Sequence, residues 1–375
     1  MSSTRVSTRW ISLSLAIVLA SCGNSTTSSG SVPSTTTEVP SFEVQPIEWR
    51  QCDDGSDVTL ISCGTLEVPF EYAQPDKGSF VLYVKKRKAS GESVGPLLVN
   101  PGGPGFGGSS LANDATYYFS KTLLNSFDII AWDPRGTGLT TPSVDCVDDY
   151  DQYFGLDSPP DDEIERQALI DAAQKFNDAC AERSGTILPY ISTVASARDM
   201  DSIRRALGEE KISYFGFSYG SELGATWATL FPETVRAAVL DGAADPNATS
   251  IDQGLAQAKG FEQQLSVFLA KCSENEACPF HNGGNAESAF DQLMLDIDAK
   301  PLVVSADRTP VTQGVAYTAV AQAMYSDYYW PDLEEALSDA QKGKGEGLLK
   351  LYDDYFQRQD DGTYGTVSYT HLRAH

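Results

Sequence analysis

Residues 211–225, KISYFGFSYGSELGA, hold the side chain best placed to do chemistry. An apolar, β-rich run breaks at Gly216-Phe217-Ser218-Tyr219-Gly220 and continues in helix-forming residues. A GxSxG turn between a strand and a helix forces its serine into a sharp bend, with glycines where side chains would clash. The Oγ then projects above a sheet at the positive end of a helix, as a nucleophile for acyl transfer requires. The plainer reading of the same serine is a helix N-cap. A serine nucleophile needs a base within hydrogen-bond reach and an acid to orient that base. Where such a turn carries a triad, the chain order is Ser, acid, His. The chain holds three histidines, His281, His371 and His375. His281 follows the Cys278-Pro279 turn with no strand before it, and the other two lie in the terminal SYTHLRAH. Asp241, which closes the run VRAAVLD, is the early candidate for the acid. None of the three histidines makes a convincing partner for Ser218.

A second stretch, VNPGGPGFGGSS at 99–110, supplies what a serine nucleophile also needs. A glycine-rich loop directly after a strand can aim backbone N–H groups at a developing oxyanion. With one donor from this loop and one from the residue after the nucleophile, the candidate donors are the amides of Gly103 and Tyr219. The loop has no G-x-x-x-x-G-K-[ST] lysine and no dinucleotide-binding context, so no phosphate-bearing cofactor is expected. Glu222 sits four residues past Ser218 on the first helical turn. It can hold a substrate ammonium or serve the helix dipole. Asp133 and Arg135, in DPRGTG, read as braces of a turn.

The surrounding pattern positions these pieces on a sheet. GTLEVPFEY and SFVLYVKKRKA are alternating strands joined through Pro75-Asp76-Lys77-Gly78. PLLVN (96–100), FDIIAWD (127–133), KISYFGFS and VRAAVLD are compact apolar runs of the kind buried parallel strands show. A helix is expected near 109–124, and ASARDMDSIRRALG (195–208) has helical spacing at Met200, Ile203 and Leu207. Strand–helix alternation predicts a doubly wound α/β sheet. After Pro246 it stops, and amphipathic helices over 251–271, 286–299, 315–325 and 332–357 predict a helical lid.

Of 375 residues, 41% are apolar, enough for a substantial core, and the formal net charge is −25 with a pI near 4.3. That charge repels nucleic acid and is compatible with cationic ligands such as peptide amino termini. Residues 1–21 read as an export signal, basic at Arg5 and Arg9, then apolar through ISLSLAIVLA. Leu19-Ala20-Ser21-Cys22 resembles a bacterial lipobox, which makes Cys22 the expected lipidation site and membrane anchor. The Ser/Thr-rich residues 22–41 follow as a tether. The remaining six cysteines, an even number in an exported chain, imply disulfides. Sequence-local pairing suggests Cys52–Cys63, Cys146–Cys180 and Cys272–Cys278, one of about 15 connectivities open to six cysteines. Their spacings fit no zinc ligand pattern, and no metal is expected.

Taken in order, CGTLEVPFEYAQPD, NPGGPGFGGSS, FDIIAWDPRGTGLTTP, the ARDMDSIRRALG helix, YFGFSYGSELGATWATLFPE and VRAAVLDGAADP resemble the bacterial α/β-hydrolase peptidases of the proline iminopeptidase clan. The resemblance is closer to the secreted tripeptidyl aminopeptidases of actinobacteria and covers roughly residues 46–365. It implies an α/β-hydrolase sheet at 42–245 with an inserted helical lid at 246–365. It also implies an oxyanion loop at 100–105, a structural Arg135, and a serine exopeptidase acting on free amino termini. The family pattern places its acid and its histidine after two further strands. Neither strand is found here, so the expectation is a truncated sheet without that acid and histidine, and a non-native tail over 366–375. An esterase or lipase of the same fold is the competing enzymatic reading. A substrate-binding lipoprotein of a transporter, or an inactive binding relative, is the alternative of another class.

Overall fold

A computed structural model describes residues 42–243, 245, 248–359 and 362–364. The expected leader, Cys22, the tether, and the tail with His371 and His375 lie outside the described residues. The chain divides into units 1–39 and 40–375, and every described residue belongs to the second.

Six strands form one sheet: β1 (Ile61–Pro69), β2 (Ser79–Arg87), β3 (Pro96–Asn100), β4 (Asp128–Trp132), β5 (Ile212–Phe217) and β6 (Val235–Asp241), in the order β1-β2-β4-β3-β5-β6. β2 runs antiparallel to both neighbours, while β4, β3, β5 and β6 are mutually parallel. The Pro75–Lys77 turn and Gly78 return the chain from β1 to β2. All five residues of β3 are buried, which its unbroken apolar run dictates for a strand covered on both faces. Alternation along β3 and β4 sends Leu98 and Ile130 to one face and Leu97, Val99, Ile129 and Ala131 to the other. The parallel strands therefore end together, and their carboxyl ends carry the glycine loop, the DPRGTG turn and the GxSxG turn.

Helices cover both faces. α1 (Ala115–Tyr118) and α2 (Lys121–Ser126) replace the single helix expected near 109–124. The break falls at Ser120, whose hydroxyl accepts from Leu123 N and starts α2 afresh. α3 (Asp151–Phe154) is followed by α4 (Glu163–Ser184), a 22-residue helix that the sequence reading did not anticipate. Only Phe176, Cys180 and Ser184 of α4 are buried, so it has almost no apolar stripe to betray it. Its legible signal was the N-cap: Asp162 accepts from both Ile164 N and Glu165 N. The Cys146–Cys180 disulfide ties α4 to the chain after β4. α5 (Thr193–Ala206) buries Met200 and Ile203 as its spacing predicted. α6 (Tyr219–Leu230) leads from the GxSxG turn toward β6.

The remaining helices, α7 (Ser250–Glu274), α8 (Ala286–Ala299), α9 (Gln313–Met324), α10 (Trp330–Ala340) and α11 (Glu346–Phe356), build a core of their own around Phe268, Phe280, Leu293, Leu337 and Leu351. The helix expected over 332–357 is two helices, split at Lys342-Gly343-Lys344-Gly345. Gly343 takes a positive φ of 81° there, which ends α10. Cys52–Cys63 and Cys272–Cys278 are the other two disulfides. No described helix is long and apolar enough to cross a membrane.

α3 joins the two cores: Tyr153 packs on Phe176 of α4 at the sheet side, ring centroids 5.2 Å apart, while Phe154 faces the helical core. Phe154 stacks on Phe356, ring centroids 4.5 Å apart. Arg308, before α9, donates from Nε to Asp151 at 2.7 Å and from Nη1 to Asp353 at 3.0 Å. Burial pushes the Asp151 carboxyl up, but the hydrogen bonds and charge of Arg308 and the Tyr364 hydroxyl outweigh it and hold it below its ordinary value. A depressed carboxylate stabilises the fold fully above its unfolded pKa, near ~3.9, and that stabilisation is lost as pH falls through the folded value. Asp151→Asn is expected to weaken this junction by about 1.5–3 kcal/mol at neutral pH. It should also remove part of the acid-induced loosening below about pH 4, followed by the fluorescence of buried Trp330.

Candidate active site

Ser218 stands between β5 and α6 with φ 51° and ψ −122°. A non-glycine residue rarely adopts such a conformation, and holding it costs about 1–3 kcal/mol. Backbone bonds clamp it from both sides: Ser218 N donates to Asp241 O at 2.8 Å, and Ser221 N donates to Ser218 O at 2.8 Å. The residue is exposed, and its side chain makes no capping bond to α6. Ser218 stands at the N-cap position, but its hydroxyl accepts none of the first amides of α6, so the plainer capping reading lacks the bond it requires. The two glycines of the motif are required by contact. A Cβ on Gly216 would strike the Gly220 carbonyl, and one on Gly220 would stand 2.9 Å from both Asn100 O and Asn100 Oδ1.

The glycine loop presses on this turn. Gly102 has φ 104°, and a Cβ there would lie 2.7 Å from Phe217 O, 3.0 Å from Ser218 Cβ and 3.4 Å from Tyr219 N. Only a bare Cα fits between the loop and Ser218. Gly102 N is already used, donating to Asn100 Oδ1 at 2.9 Å. Farther along, the buried Asp133 carboxylate accepts from Ser109 N and Leu139 N, each at 2.8 Å, which joins the loop to the DPRGTG turn. Burial raises the Asp133 carboxyl above its ordinary value, and these hydrogen bonds oppose that rise. Arg135 is engaged elsewhere: Nε and Nη2 bind Asp199, and the guanidinium also donates to the carbonyls of Pro69, Phe70 and Tyr190. Both residues act as braces.

Residues 95–337 match the family model described as the alpha/beta hydrolase fold. The chain belongs to the α/β-hydrolase family. The chain is 34% identical over 336 residues to "Serine protease Hip1" of Mycobacterium tuberculosis, covering 85% of this chain and 64% of that protein. It is 35% identical over 330 residues to "Carboxylesterase B" of the same species, covering 84% and 62%. It is also 34% identical over 262 residues to "Tripeptidyl aminopeptidase" of Streptomyces lividans, covering 66% and 48%. The chain thus spans 64% of the first of these relatives.

Within this α/β-hydrolase sheet the other expected residues fall as follows. Tyr219 begins α6, and its hydroxyl lies 3.0 Å from Thr193 Oγ1 at the start of α5. Glu222 is half-buried on the first turn of α6. Asp241 ends β6 with its carbonyl on Ser218 N and is itself exposed. His281, the only histidine among the described residues, is not brought into the Ser218 turn: it belongs to the turn between α7 and α8. Its Nδ1 lies 3.0 Å from Cys272 O, beside the Cys272–Cys278 disulfide. Sequence reasoning missed two features. One is Asn100, whose role is a side-chain-to-backbone bond that no pattern of residue types announces. The other is Tyr118, half-exposed, with its ring 5.8 Å from that of Phe217 beside Ser218. Its only sequence signal was the aromatic run TYYF at 116–119.

Proposed function

We propose that this chain carries the nucleophile and oxyanion hole of an exported serine peptidase that releases short peptides from free amino termini. The observation that carries the reading is Ser218: exposed, uncapping and held at φ 51° against the glycine loop. In the reaction Ser218 Oγ bonds to the carbonyl carbon of the scissile amide, and the π pair moves onto the carbonyl oxygen. The Oγ proton passes to a histidine, and the alkoxide takes hydrogen bonds from the amides of Gly103 and Tyr219. Collapse of the adduct expels the amine, which takes that proton, and water then releases the acyl group. His281, held beside the Cys272–Cys278 disulfide, is not assigned as that histidine, and the family resemblance puts the acid and the histidine after two further strands. Glu222, at the positive end of α6, is the candidate for holding the substrate ammonium, and Cys22 for the lipid anchor outside the membrane.

A second reading, ester hydrolysis, is favoured by the equal likeness to the protein named Carboxylesterase B. One experiment separates the two: hydrolysis of tripeptide amides with free or acetylated amino termini, and of short acyl esters, by the full-length gene product. The aminopeptidase reading expects cleavage of the free-amine peptides alone, with Glu222→Gln raising KM for them. Equal cleavage of acetylated peptides, or turnover confined to esters, would refute it.

A further inference from the structure

We infer that Asn100 is a positioning residue that selects which amide of the glycine loop points at the oxyanion; the inference rests on the serine-nucleophile reading of Ser218. Asn100 ends β3, is 1% exposed, and is registered opposite Gly216 of the nucleophile turn on β5. Its Oδ1 accepts Gly102 N–H at 2.9 Å. The same oxygen and the Asn100 carbonyl both crowd the space above Gly220, one residue into α6 from Tyr219. One buried side chain is therefore wedged between the two elements that supply the oxyanion hole.

The covalent chemistry of the loop makes this placement selective. In Pro101-Gly102-Gly103-Pro104 the two prolines have no N–H, so the segment has two amide donors. Asn100 takes the first, and Gly103 N–H, which donates to no group among the described residues, is left as the donor available to a substrate oxygen. Two adjacent glycines at φ 104° and 114° have little steric preference to hold them there. The Asn100 bond fixes the Gly102 peptide plane, and through it the direction of the next N–H. Without the acceptor, Gly102 N–H is left unsatisfied in a buried place and the peptide can turn, carrying Gly103 N–H off the oxyanion. A displacement of about 1 Å in such a group is enough to cost on the order of 10²-fold in rate.

The test uses the full-length gene product, with kcat expressed per site titrated by a fluorophosphonate, and hydrogen exchange of the 99–106 segment read by mass spectrometry. Asn100→Ala is expected to lower kcat by about 10²-fold with KM within about threefold, and to speed exchange at Gly102. Asn100→Asp keeps an oxygen on Gly102 N–H but adds a titratable charge beside the hole. Exchange there should stay slow while kcat falls as pH rises, a dependence absent from Asn100→Ala. A purely structural residue would lower the melting temperature and the titrated fraction and leave kcat per site unchanged, and that result overturns the inference. So does a loss of kcat with Gly102 exchange unaltered. If Ser218→Ala retains full turnover, the reading of the site fails first and the inference with it. Faster exchange in Asn100→Ala with normal kcat would instead leave Ser218 in place and reject Asn100 alone.

Discussion

Ser218→Ala is expected to lower kcat of the full-length gene product by about 10⁴–10⁶-fold, the scale on which removal of a triad nucleophile acts. KM and the folded state should change little, because the residue is exposed and its side chain bonds to no amide of α6. The strained backbone adds a second, independent readout. Alanine keeps a Cβ at φ 51° and so keeps the strain, whereas glycine removes it. Ser218→Gly is therefore expected to denature later than Ser218→Ala although both are inactive. Any residue held at this positive φ predicts the ordering; one in an ordinary extended or helical conformation does not, so the pair tests the strained turn and the loss of kcat tests the nucleophile.

The second large effect concerns stability. Arg135 and Asp199 pair with both side chains fully buried, and Tyr72 adds its hydroxyl to Asp199 at 2.8 Å. Arg135 also gathers the carbonyls of Pro69, Phe70 and Tyr190, so one guanidinium fastens the end of β1, the turn before α5 and α5 itself. Asp199→Leu leaves that cation buried without its counter-charge and is expected to cost about 3–5 kcal/mol in chemical denaturation. The double variant Arg135→Met with Asp199→Leu should recover much of the loss, because the penalty comes from the orphaned charge rather than from the missing bond. Equal destabilisation by the single and the double variant would count against this reading. Catalysis per folded site should survive in both, since neither residue touches the Ser218 turn.

Sheet and GxSxG turn were legible because each is written in local patterns. The run PLLVN is buried at every residue, Met200 and Ile203 of α5 lie in the core, and GFSYG makes the strained turn its glycines call for. Features set by tertiary context were not legible. α4 is exposed nearly all round, so its helical period carries no apolar signal. The division of the last predicted helix into α10 and α11 depends on one backbone conformation at Gly343. Asn100 and Asp133 act by accepting backbone N–H groups from a loop that the sequence alone cannot fold around them. His281 lies in the turn between α7 and α8 with its Nδ1 near Cys272 O, and β6, parallel like buried β3, has every residue from Arg236 to Asp241 exposed.

The central claim is that Ser218 is the nucleophile, and covalent labelling tests it most directly. The full-length gene product would be treated with a fluorophosphonate, digested and sequenced by mass spectrometry. A single major adduct is expected, on Ser218 within KISYFGFSYGSELGA, absent from Ser218→Ala and formed in step with loss of hydrolysis. An adduct on another serine, or activity lost while Ser218 stays unmodified, would contradict it.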